Sequence, residues 1–257
     1  MLASTRQTRT RRAGILNHLR QSGRASVEEL AALFATTPQT IRKDLNVLAG
    51  EGRVIRFHGG ASLLAGVEYT GFEQRRNIAR EEKERIGRCV ASRIPGNTVV
   101  LINAGTTTAA VARRMDAHAG VRLVTDSVMM ANETRGFPGL TVMVPGGVVR
   151  PSDGTILGET AIEFIRQFRA DIAVIGAAAV AADGALLDYD LREAAVARAM
   201  IESARNVILA IDGSKYNRPA PVCIGHLRQV HSVVTDKGAP PALGELCAAM
   251  GVGLTLV

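Results

Sequence analysis

The chain has 257 residues, of which 47% are hydrophobic and 21% charged, and its net charge is +7. That length leaves room for a small domain and one substantial domain, and the composition excludes broad disorder. No apolar run approaches the roughly 20 residues that span a bilayer, and the basic N-terminus lacks the apolar stretch of a secretory signal. We therefore expect a cytoplasmic protein that makes no membrane contact.

The three cysteines are odd in number and widely scattered along the chain, at Cys89, Cys223 and Cys247. This spacing provides neither a disulfide framework nor a metal site. We predict that all three are reduced, small residues of the core. No cofactor is expected from any motif in the sequence.

The chain begins with two predicted helices. The first covers roughly 7–21 and ends before Gly23, a stop signal. The second opens with Ser26 and Glu29, which form a capping-box pattern. The residues predicted to face inward are Ile15, Leu16 and Leu19 in the first helix and Leu30, Leu33 and Phe34 in the second. A short break at 35–37 then suits a helix-turn-helix.

Residues 36–48 predict a third helix with an apolar back and a basic front. Thr37 can cap it, and Pro38 suits the first helical position because no backbone donor is needed there. The inward face is predicted to be Ile41, Leu45 and Leu48, and the outward face Gln39, Thr40, Arg42, Lys43 and Asn46. Gln, Arg and Asn can bond base edges, whereas Lys and Thr can bond bases or phosphates. Taken alone, the segment fits an ordinary solvated helix equally well.

A short strand over 53–58, ended by Gly59 and Gly60, predicts the wing of a winged helix. Its Arg53, Arg56 and His58 are candidates for backbone or minor-groove contact. With Thr37 and the outward face of the third helix, they complete the predicted DNA-binding set.

Charge placement supports this prediction. Residues 1–60 hold ten Lys and Arg against four Asp and Glu, so they account for +6 of the net +7. A basic end on a nearly neutral body fits phosphate attraction. Arg6, Arg9, Arg11 and Arg12 form either a flexible arm on DNA or a disordered, solvated N-terminus.

The rest of the chain predicts a second domain of alternating strands and helices. We divide the chain into a DNA-binding domain at 1–60, a linker at 61–78 and an α/β domain at 79–257. The predicted strands are 98–102, 121–125, 140–144, 172–175, 207–211 and 230–235, and the predicted helices 79–92, 107–115, 127–134, 159–168 and 191–204. This alternation predicts a mostly parallel open sheet. Ligands of such sheets bind beyond the carboxyl ends of the strands.

Polar and glycine-rich segments follow several of those strands and predict a site for a phosphorylated small molecule. The candidates are Asn103, Gly105, Thr106, Thr107, Thr108, Thr125, Asp126, Ser127, Gly146, Gly147, Gly176, Asp188, Glu193, Asp212 and Lys215. The segment 103–108 can cradle a phosphate at a helix start, and Lys215 can neutralise it. Asp188, Asp190 and Glu193 can accept hydrogen bonds from ligand hydroxyl groups. Alternatively, their negative charges simply favour the start of the following helix.

The segments 38–48 and 56–61 resemble the DNA-binding signature of the DeoR family of bacterial transcriptional regulators. The resemblance continues through 82–86, 105–107, 146–147 and 212–216. It implies an N-terminal winged helix and a sensor related to ribose-5-phosphate isomerase and CoA-transferases. It also implies a repressor that a phosphorylated metabolite releases from operator DNA. One winged helix covers a short site, so we expect a homo-oligomer, a dimer or a tetramer, that binds repeated half-sites. The segments 164–171 and 186–190 favour glycerol 3-phosphate as that metabolite.

Several positions depart from the family pattern. Asn103 stands where Asp is usual, and Asp126 stands where Asn is usual. Tyr216 replaces the more common Phe, and Ala177 and Ala178 replace a more polar pair after Gly176. One alternative is a repressor of the same family that senses a different sugar phosphate. The other is a sugar-phosphate isomerase with an appended DNA-binding module, which needs a carboxylate base. Asn103 cannot act as that base, so the sequence favours sensing over catalysis.

Overall fold

The computed structural model describes residues 2–22, 24–50, 54–57, 59–63 and 72–257. The chain forms two compact units that meet in sequence between Tyr69 and Thr70. The elements of the N-terminal unit are α1 (Leu2–Ser22), β1 (Arg24–Ser26), α2 (Val27–Leu33), α3 (Pro38–Gly50), β2 (Val54–Phe57) and β3 (Gly60–Leu63). The three strands form one antiparallel sheet in the order β1-β3-β2.

The N-terminal unit has the winged-helix core that the sequence predicts. Its helices bury the predicted apolar stripes, among them Ile15, Leu30 and Leu45. The capping box is also confirmed, because the Ser26 side chain accepts from the Glu29 amide. Leu33 is an exception. It is the last residue of α2 and 54% exposed, so the prediction that it faces inward is wrong.

The wing extends further along the chain than its first strand predicts. Gly60 does not end the hairpin but begins β3, which pairs with both β1 and β2. β3 therefore crosses the predicted boundary at residue 60 and continues into the segment predicted as linker. The sequence gives little sign of it, because a four-residue strand is too short to show a clear local period.

A buried carboxylate holds α1 against α3. Asp44 is 2% exposed, and its two oxygens accept hydrogen bonds from Arg11 Nε at 2.6 Å and Arg12 Nε at 2.8 Å. These two arginines lie within helix α1 and form ion pairs, so neither alternative for the N-terminal arginines holds for them. The side chains of Arg6 and Arg9 lie outside the described residues.

Asp44→Ala should lower the stability of the N-terminal unit by about 1–3 kcal/mol, because it removes two charge-assisted hydrogen bonds. The effect stays moderate because both arginines are partly exposed and can turn toward water. Hydrogen exchange of the buried α3 amides measures the change. Unaltered protection in the variant would show that the ion pairs contribute nothing to the unit.

The C-terminal unit alternates strands and helices. Its helices are α4 (Phe72–Asn77), α5 (Arg80–Ala91), α6 (Thr106–Ala112), α7 (Val128–Thr134), α8 (Glu159–Arg166), α9 (Leu191–Glu202) and α10 (Ala242–Ala249). Its strands are β4 (Val99–Ile102), β5 (Val121–Thr125), β6 (Leu140–Met143), β7 (Ala170–Ile175), β8 (Ala179–Val180), β9 (Ala185–Asp188), β10 (Ala204–Ala210), β11 (Val222–His226), β12 (Ser232–Thr235) and β13 (Gly253–Leu256). α4 lies in the predicted linker, as β3 does.

Seven parallel strands form the central sheet in the order β13-β12-β10-β7-β4-β5-β6. The chain runs outward from β4 through β5 to β6, then returns to β7 and runs outward in the other direction. The strand order therefore reverses between β4 and β7. In open α/β sheets, the crevice at such a reversal is where ligands bind.

A small antiparallel sheet, in the order β11-β9-β8, accompanies the main one. Cys223 lies on its edge strand β11 and is exposed, so the prediction of a core position is wrong for this cysteine. Cys247 is buried and Cys89 half-buried. Within the described ranges, no helix is long and apolar enough to cross a membrane, and no cluster of His, Cys, Asp and Glu could hold a metal ion.

Candidate functional site

The polar face of α3 is accessible. Gln39, Arg42, Lys43 and Asn46 are exposed and Thr40 is half-buried. Thr37 caps the helix, because its hydroxyl oxygen accepts from the Thr40 amide at 3.2 Å. The Arg42 side chain is 53% exposed and lies 3.8 Å from a Glu28 oxygen. That surface ion pair is weak enough to break when a base or phosphate offers a better acceptor.

The wing contacts α3 through one of the predicted residues. Arg56 of β2 donates a hydrogen bond to the Asn46 side chain. This contact orients both side chains on one surface of the N-terminal unit. Arg53 and His58, the other two wing candidates, lie outside the described residues.

Asn103 bridges the point where the strand order reverses. Its Nδ2 donates to the Gly176 carbonyl at 3.1 Å, and its Oδ1 accepts from the Gly176 amide at 2.8 Å. Asn103 follows β4 and Gly176 follows β7, so the pair ties the ends of the two central strands together. An ionised carboxylate at 103 could not donate to that carbonyl. The side chain that departs from the family pattern thus has a specific structural role here.

The loop after β4 is held by a threonine and needs a glycine. The buried Thr108 hydroxyl donates to the Asn103 carbonyl at 2.7 Å, and it also lies 3.1 Å from the Gly105 carbonyl. A Cβ atom on Gly105 would lie 2.8 Å from the Thr108 hydroxyl oxygen, which is too close. The Thr108 hydroxyl proton is therefore committed to the loop. Thr106 and Thr107 are buried at the start of α6.

Asp126 contacts the same loop from the end of β5. Its Oδ1 accepts from the Ala104 amide at 2.6 Å, and the residue is 3% exposed. The pKa of Asp126 is raised to about 7, chiefly by burial, while the hydrogen bond from the Ala104 amide opposes the shift and the nearby Glu193 and Asp153 carboxylates add to it. Near neutral pH this carboxyl can therefore be either a donor or an acceptor.

The two hydroxyl residues beside Asp126 serve the local backbone. Thr125 Oγ1 accepts from the Ser127 amide at 3.2 Å, and Ser127 Oγ accepts from the Met130 amide at 3.2 Å. Ser127 is thus the cap of α7. Both can still donate a hydroxyl proton to a ligand, since only their acceptor oxygens are used.

Asp126→Asn should stabilise the protein at pH 8 by on the order of 2–4 kcal/mol. The unfolded carboxyl ionises near its ordinary pKa of 3.8, and the folded one only near 7. Burial of Asp126 therefore costs stability as pH rises from about 4 to 7. An amide still accepts from Ala104 and carries no charge. Thermal unfolding of both proteins at pH 4.5 and 8 measures this, and an equal difference at both values would contradict it.

Arg150, which the sequence analysis missed, organises the acidic side of this region. Its guanidinium lies 2.5 Å from Asp153 Oδ2, 3.1 Å from Asp190 Oδ2 and 2.5 Å from Glu193 Oε1. Glu193 thus forms an ion pair with Arg150. In the sequence, the only sign of this role is one arginine in an apolar loop, three residues after Gly147. The structure shows that Gly147 itself has a φ of +144°.

Asp188 and Asp190 have different roles. Asp190 caps α9, because its Oδ1 accepts from the Arg192 amide at 2.8 Å, so the helix-start interpretation is confirmed for it. Asp188 ends β9, and burial raises its pKa to about 6, with Glu193 contributing next. Asp188 and Asp126 therefore both lie near Glu193 and form a group of weakly acidic carboxyls.

A basic group lies at the end of β10. Asp212 is fully buried, and its Oδ1 accepts from the Ser214 amide at 3.2 Å, which shapes the turn carrying Lys215. Lys83 of α5 lies 3.9 Å from Asp212 Oδ2. The pKa of Lys83 is lowered to about 8, chiefly by burial, while Asp212 opposes the shift and the charges of Lys215 and Arg75 add to it. Lys83 escaped notice in a charged helix, although it shares the buried face with Ile86 and Val90.

Family comparisons match both units of the chain. The DeoR-like helix-turn-helix domain matches residues 11–66, and the DeoR C-terminal sensor domain matches residues 78–237. The chain belongs to the DeoR family. In this family a DNA-binding helix-turn-helix precedes a sensor domain, and both parts are present here.

Three relatives cover most of the chain. The glycerol-3-phosphate regulon repressor of Escherichia coli strain K12 is 41% identical and covers 92% of this chain and 93% of that protein. The protein of the same name from Haemophilus influenzae is 40% identical, with 86% of each chain covered. The transcriptional repressor CsqR of Escherichia coli is 38% identical, covering 89% of this chain and 88% of that one.

Among solved structures, a ribose-5-phosphate isomerase in complex with phospho-erythronic acid aligns with 53% of this chain and 54% of its own. The TM-score is 0.41 and the identity 15%. The family assignment therefore rests on the sequence relatives and the domain matches.

The structure brings most of the predicted sensor residues together at one edge of the sheet. Direct hydrogen bonds connect Asn103, Thr108 and Gly176, and Asp126 bonds the same loop. Glu193 lies near both Asp126 and Asp188, and Lys215 lies near Lys83 in the turn that follows Asp212. Gly146 and Gly147 lie in the loop after β6, where Gly147 approaches Ile156.

Proposed function

We propose that this DeoR-family protein represses genes for the use of glycerol 3-phosphate and that this metabolite releases it from DNA. The observation that carries the proposal is the separation of charge at the sheet edge. Lys215 lies beyond β10 and near Lys83 of α5, whereas carboxyls with a raised pKa lie beyond β5 and at the end of β9. A molecule with a phosphate at one end and hydroxyl groups at the other matches that separation.

In this arrangement Lys215 neutralises the phosphate, and the loop over 103–108 supplies backbone donors. Asp126 and Asp188 accept hydrogen bonds from the polyol hydroxyls. A negative charge at position 126 permits this role. Arg75 connects the two sides, because its charge acts on both Asp188 and Lys83. The repressor CsqR is also similar to this chain in sequence, and its name differs from that of the glycerol-3-phosphate regulon repressors. Binding measurements therefore have to identify the effector.

The DNA-binding part of the proposal rests on the exposed face of α3. Gln39, Thr40 and Arg42 read base edges in the major groove, and Lys43 and the wing contact phosphates. One such helix covers a short site, so we propose a symmetric homo-oligomer that binds repeated half-sites. The operator lies on cytoplasmic DNA, which places the protein in the cytoplasm.

The alternative function is that of an enzyme, a sugar-phosphate isomerase. Proton transfer on a sugar needs a positioned carboxylate base. Here the side chain beside the first loop is the Asn103 amide, with both of its functions engaged by Gly176. We therefore propose binding without catalysis, and no cofactor is required for it.

Isothermal calorimetry on the full chain tests the effector assignment. Glycerol 3-phosphate should bind at least about tenfold more tightly than glycerol or inorganic phosphate alone, a gain of about 1.4 kcal/mol. Lys43→Ala, on the DNA-binding face, is the control and should bind it normally. Equal affinity for inorganic phosphate would show that the carboxyl side contributes nothing. Preference for a larger sugar phosphate would retain the sensor and replace the effector.

A further inference from the structure

Lys83 is a buried lysine whose ammonium group bonds the backbone of a neighbouring segment. It is 3% exposed, and its Nζ donates to the carbonyls of Arg75 and Ile78, both at 2.6 Å. Arg75 lies in α4 and Ile78 in the turn that joins α4 to α5. The ammonium therefore closes this joint from the side of the sheet. A buried charge is costly unless it is paired, so its placement needs a reason.

The joint that Lys83 closes is strained. Ala79 stands between α4 and α5 with a φ of +50°, in the left-handed region that residues with a Cβ rarely adopt. Such a conformation persists only when surrounding contacts enforce it. The two carbonyl bonds from Lys83 are contacts of this kind. Loss of those bonds would let the joint relax.

The other neighbour of the ammonium belongs to the sensor site. Asp212 Oδ2 is buried and makes no hydrogen bond within the described part of the chain, yet it lies only 3.9 Å from Lys83 Nζ. Asp212 Oδ1 shapes the turn that carries Lys215. A small shift would therefore take the ammonium from the carbonyls to Asp212, toward the place proposed for the phosphate.

We propose that Lys83 couples effector binding to the α4–α5 joint. Without effector, the ammonium holds the carbonyls of Arg75 and Ile78 and keeps the joint closed. A dianionic phosphate beside Lys215 draws the ammonium toward Asp212 and releases them. α4 is the first described element after the DNA-binding unit, so the change occurs where the chain enters the sensor. This inference rests on the proposed function and adds the residue that transmits the signal.

The coupling should depend on pH. The charged groups that act on Lys83 are Asp212 and Lys215 beyond β10, Arg75 on α4 and Glu82 on its own helix. With a pKa near 8, Lys83 begins to lose its charge just above neutral pH. A bound dianion favours the charged form, so binding takes up a proton and weakens as pH rises through 8. Release of DNA should weaken in the same range.

Three variants of the full chain test this, with operator affinity measured with and without a saturating phosphorylated probe, starting with glycerol 3-phosphate. Lys83→Met should bind operator as weakly without probe as the wild type does with it. Its affinity ratio, which is the operator affinity without probe divided by that with probe, should therefore fall to about one. Calorimetry should show the probe still binding to this variant within about fivefold of wild type, which confirms a folded sensor. Ala79→Gly relieves the strain and should need more probe for release. Lys83→Arg should keep its ratio between pH 7.5 and 9.5, whereas the wild-type ratio falls about tenfold.

Tight operator binding and normal release by Lys83→Met would overturn the inference, and so would complete loss of probe binding, since that would make Lys83 a ligand or a structural residue. A ratio for Lys83→Arg that falls with pH as in the wild type would assign the titration to another group and also overturn it. If no phosphorylated probe releases the wild type, the proposed function fails first. Release of the wild type together with a Lys83→Met that behaves normally would refute this inference alone.

Discussion

At a glycerol 3-phosphate concentration that just releases the wild type, Lys215→Ala should show no release, while its operator affinity stays within about twofold of wild type. In the proposed site Lys215 contributes a charged hydrogen bond to the phosphate, worth about 1.5–3 kcal/mol. That corresponds to roughly a 10- to 100-fold loss of effector affinity. The variant is then a repressor that its effector no longer releases. Titration of the effector against a preformed operator complex measures the loss.

The control for this variant is Lys83→Met, which should have the opposite phenotype of weak operator binding without effector. A ligand can shift a two-state equilibrium only through different affinities for the two states. Loss of a ligand contact in Lys215→Ala and loss of the coupling contact in Lys83→Met should therefore give clearly different phenotypes. If Lys215→Ala instead loses operator binding, Lys215 supports the structure of the sensor and the phosphate must lie elsewhere.

Arg42→Ala should weaken operator binding by about 1–3 kcal/mol and relax the preference at one base position. The Arg42 side chain projects from the exposed face of α3, and its only described ion pair is a long one with Glu28. A bidentate contact between arginine and guanine would account for both effects. Binding of the wild type and the variant to operators substituted one base pair at a time measures them.

Lys43→Ala is the matched comparison on the same helix. If Lys43 contacts a phosphate, its loss should weaken binding to every sequence by a similar factor and lower the salt dependence by about one unit of slope. An Arg42→Ala variant that behaves like Lys43→Ala would reassign Arg42 to the DNA backbone.

Local sequence patterns predicted those helices and strands whose own residues show a cap or a regular apolar pattern. α3 has a cap, a proline at its start and a regular apolar stripe, so its position and its exposed face both follow from the sequence. The buried strands of the parallel sheet are continuous apolar runs, which reveal them for the same reason. By contrast, β3 has only four residues and β8 only two, and β11 pairs with the distant β9, so no local period marks these strands.

Residue roles were harder to predict than residue positions. The sequence places Thr125, Ser127 and Thr108 beside strand ends, but only the structure shows that their oxygen atoms already serve the backbone. It likewise gives no sign that Asp44 pairs with Arg11 and Arg12, because ion pairs between distant segments leave no spacing pattern. Lys83 and Arg150 were missed because charged residues in helices and loops are usually solvated, and their burial depends on tertiary packing.

The central claim is that this protein binds an operator and that glycerol 3-phosphate releases it. We would measure binding of the purified full chain to DNA from upstream of its own gene neighbourhood at one fixed salt concentration, because affinity depends steeply on salt. The account predicts specific binding that glycerol 3-phosphate reverses while glycerol and inorganic phosphate do not. Specific binding that no phosphorylated compound reverses, or no specific binding at all, would contradict it.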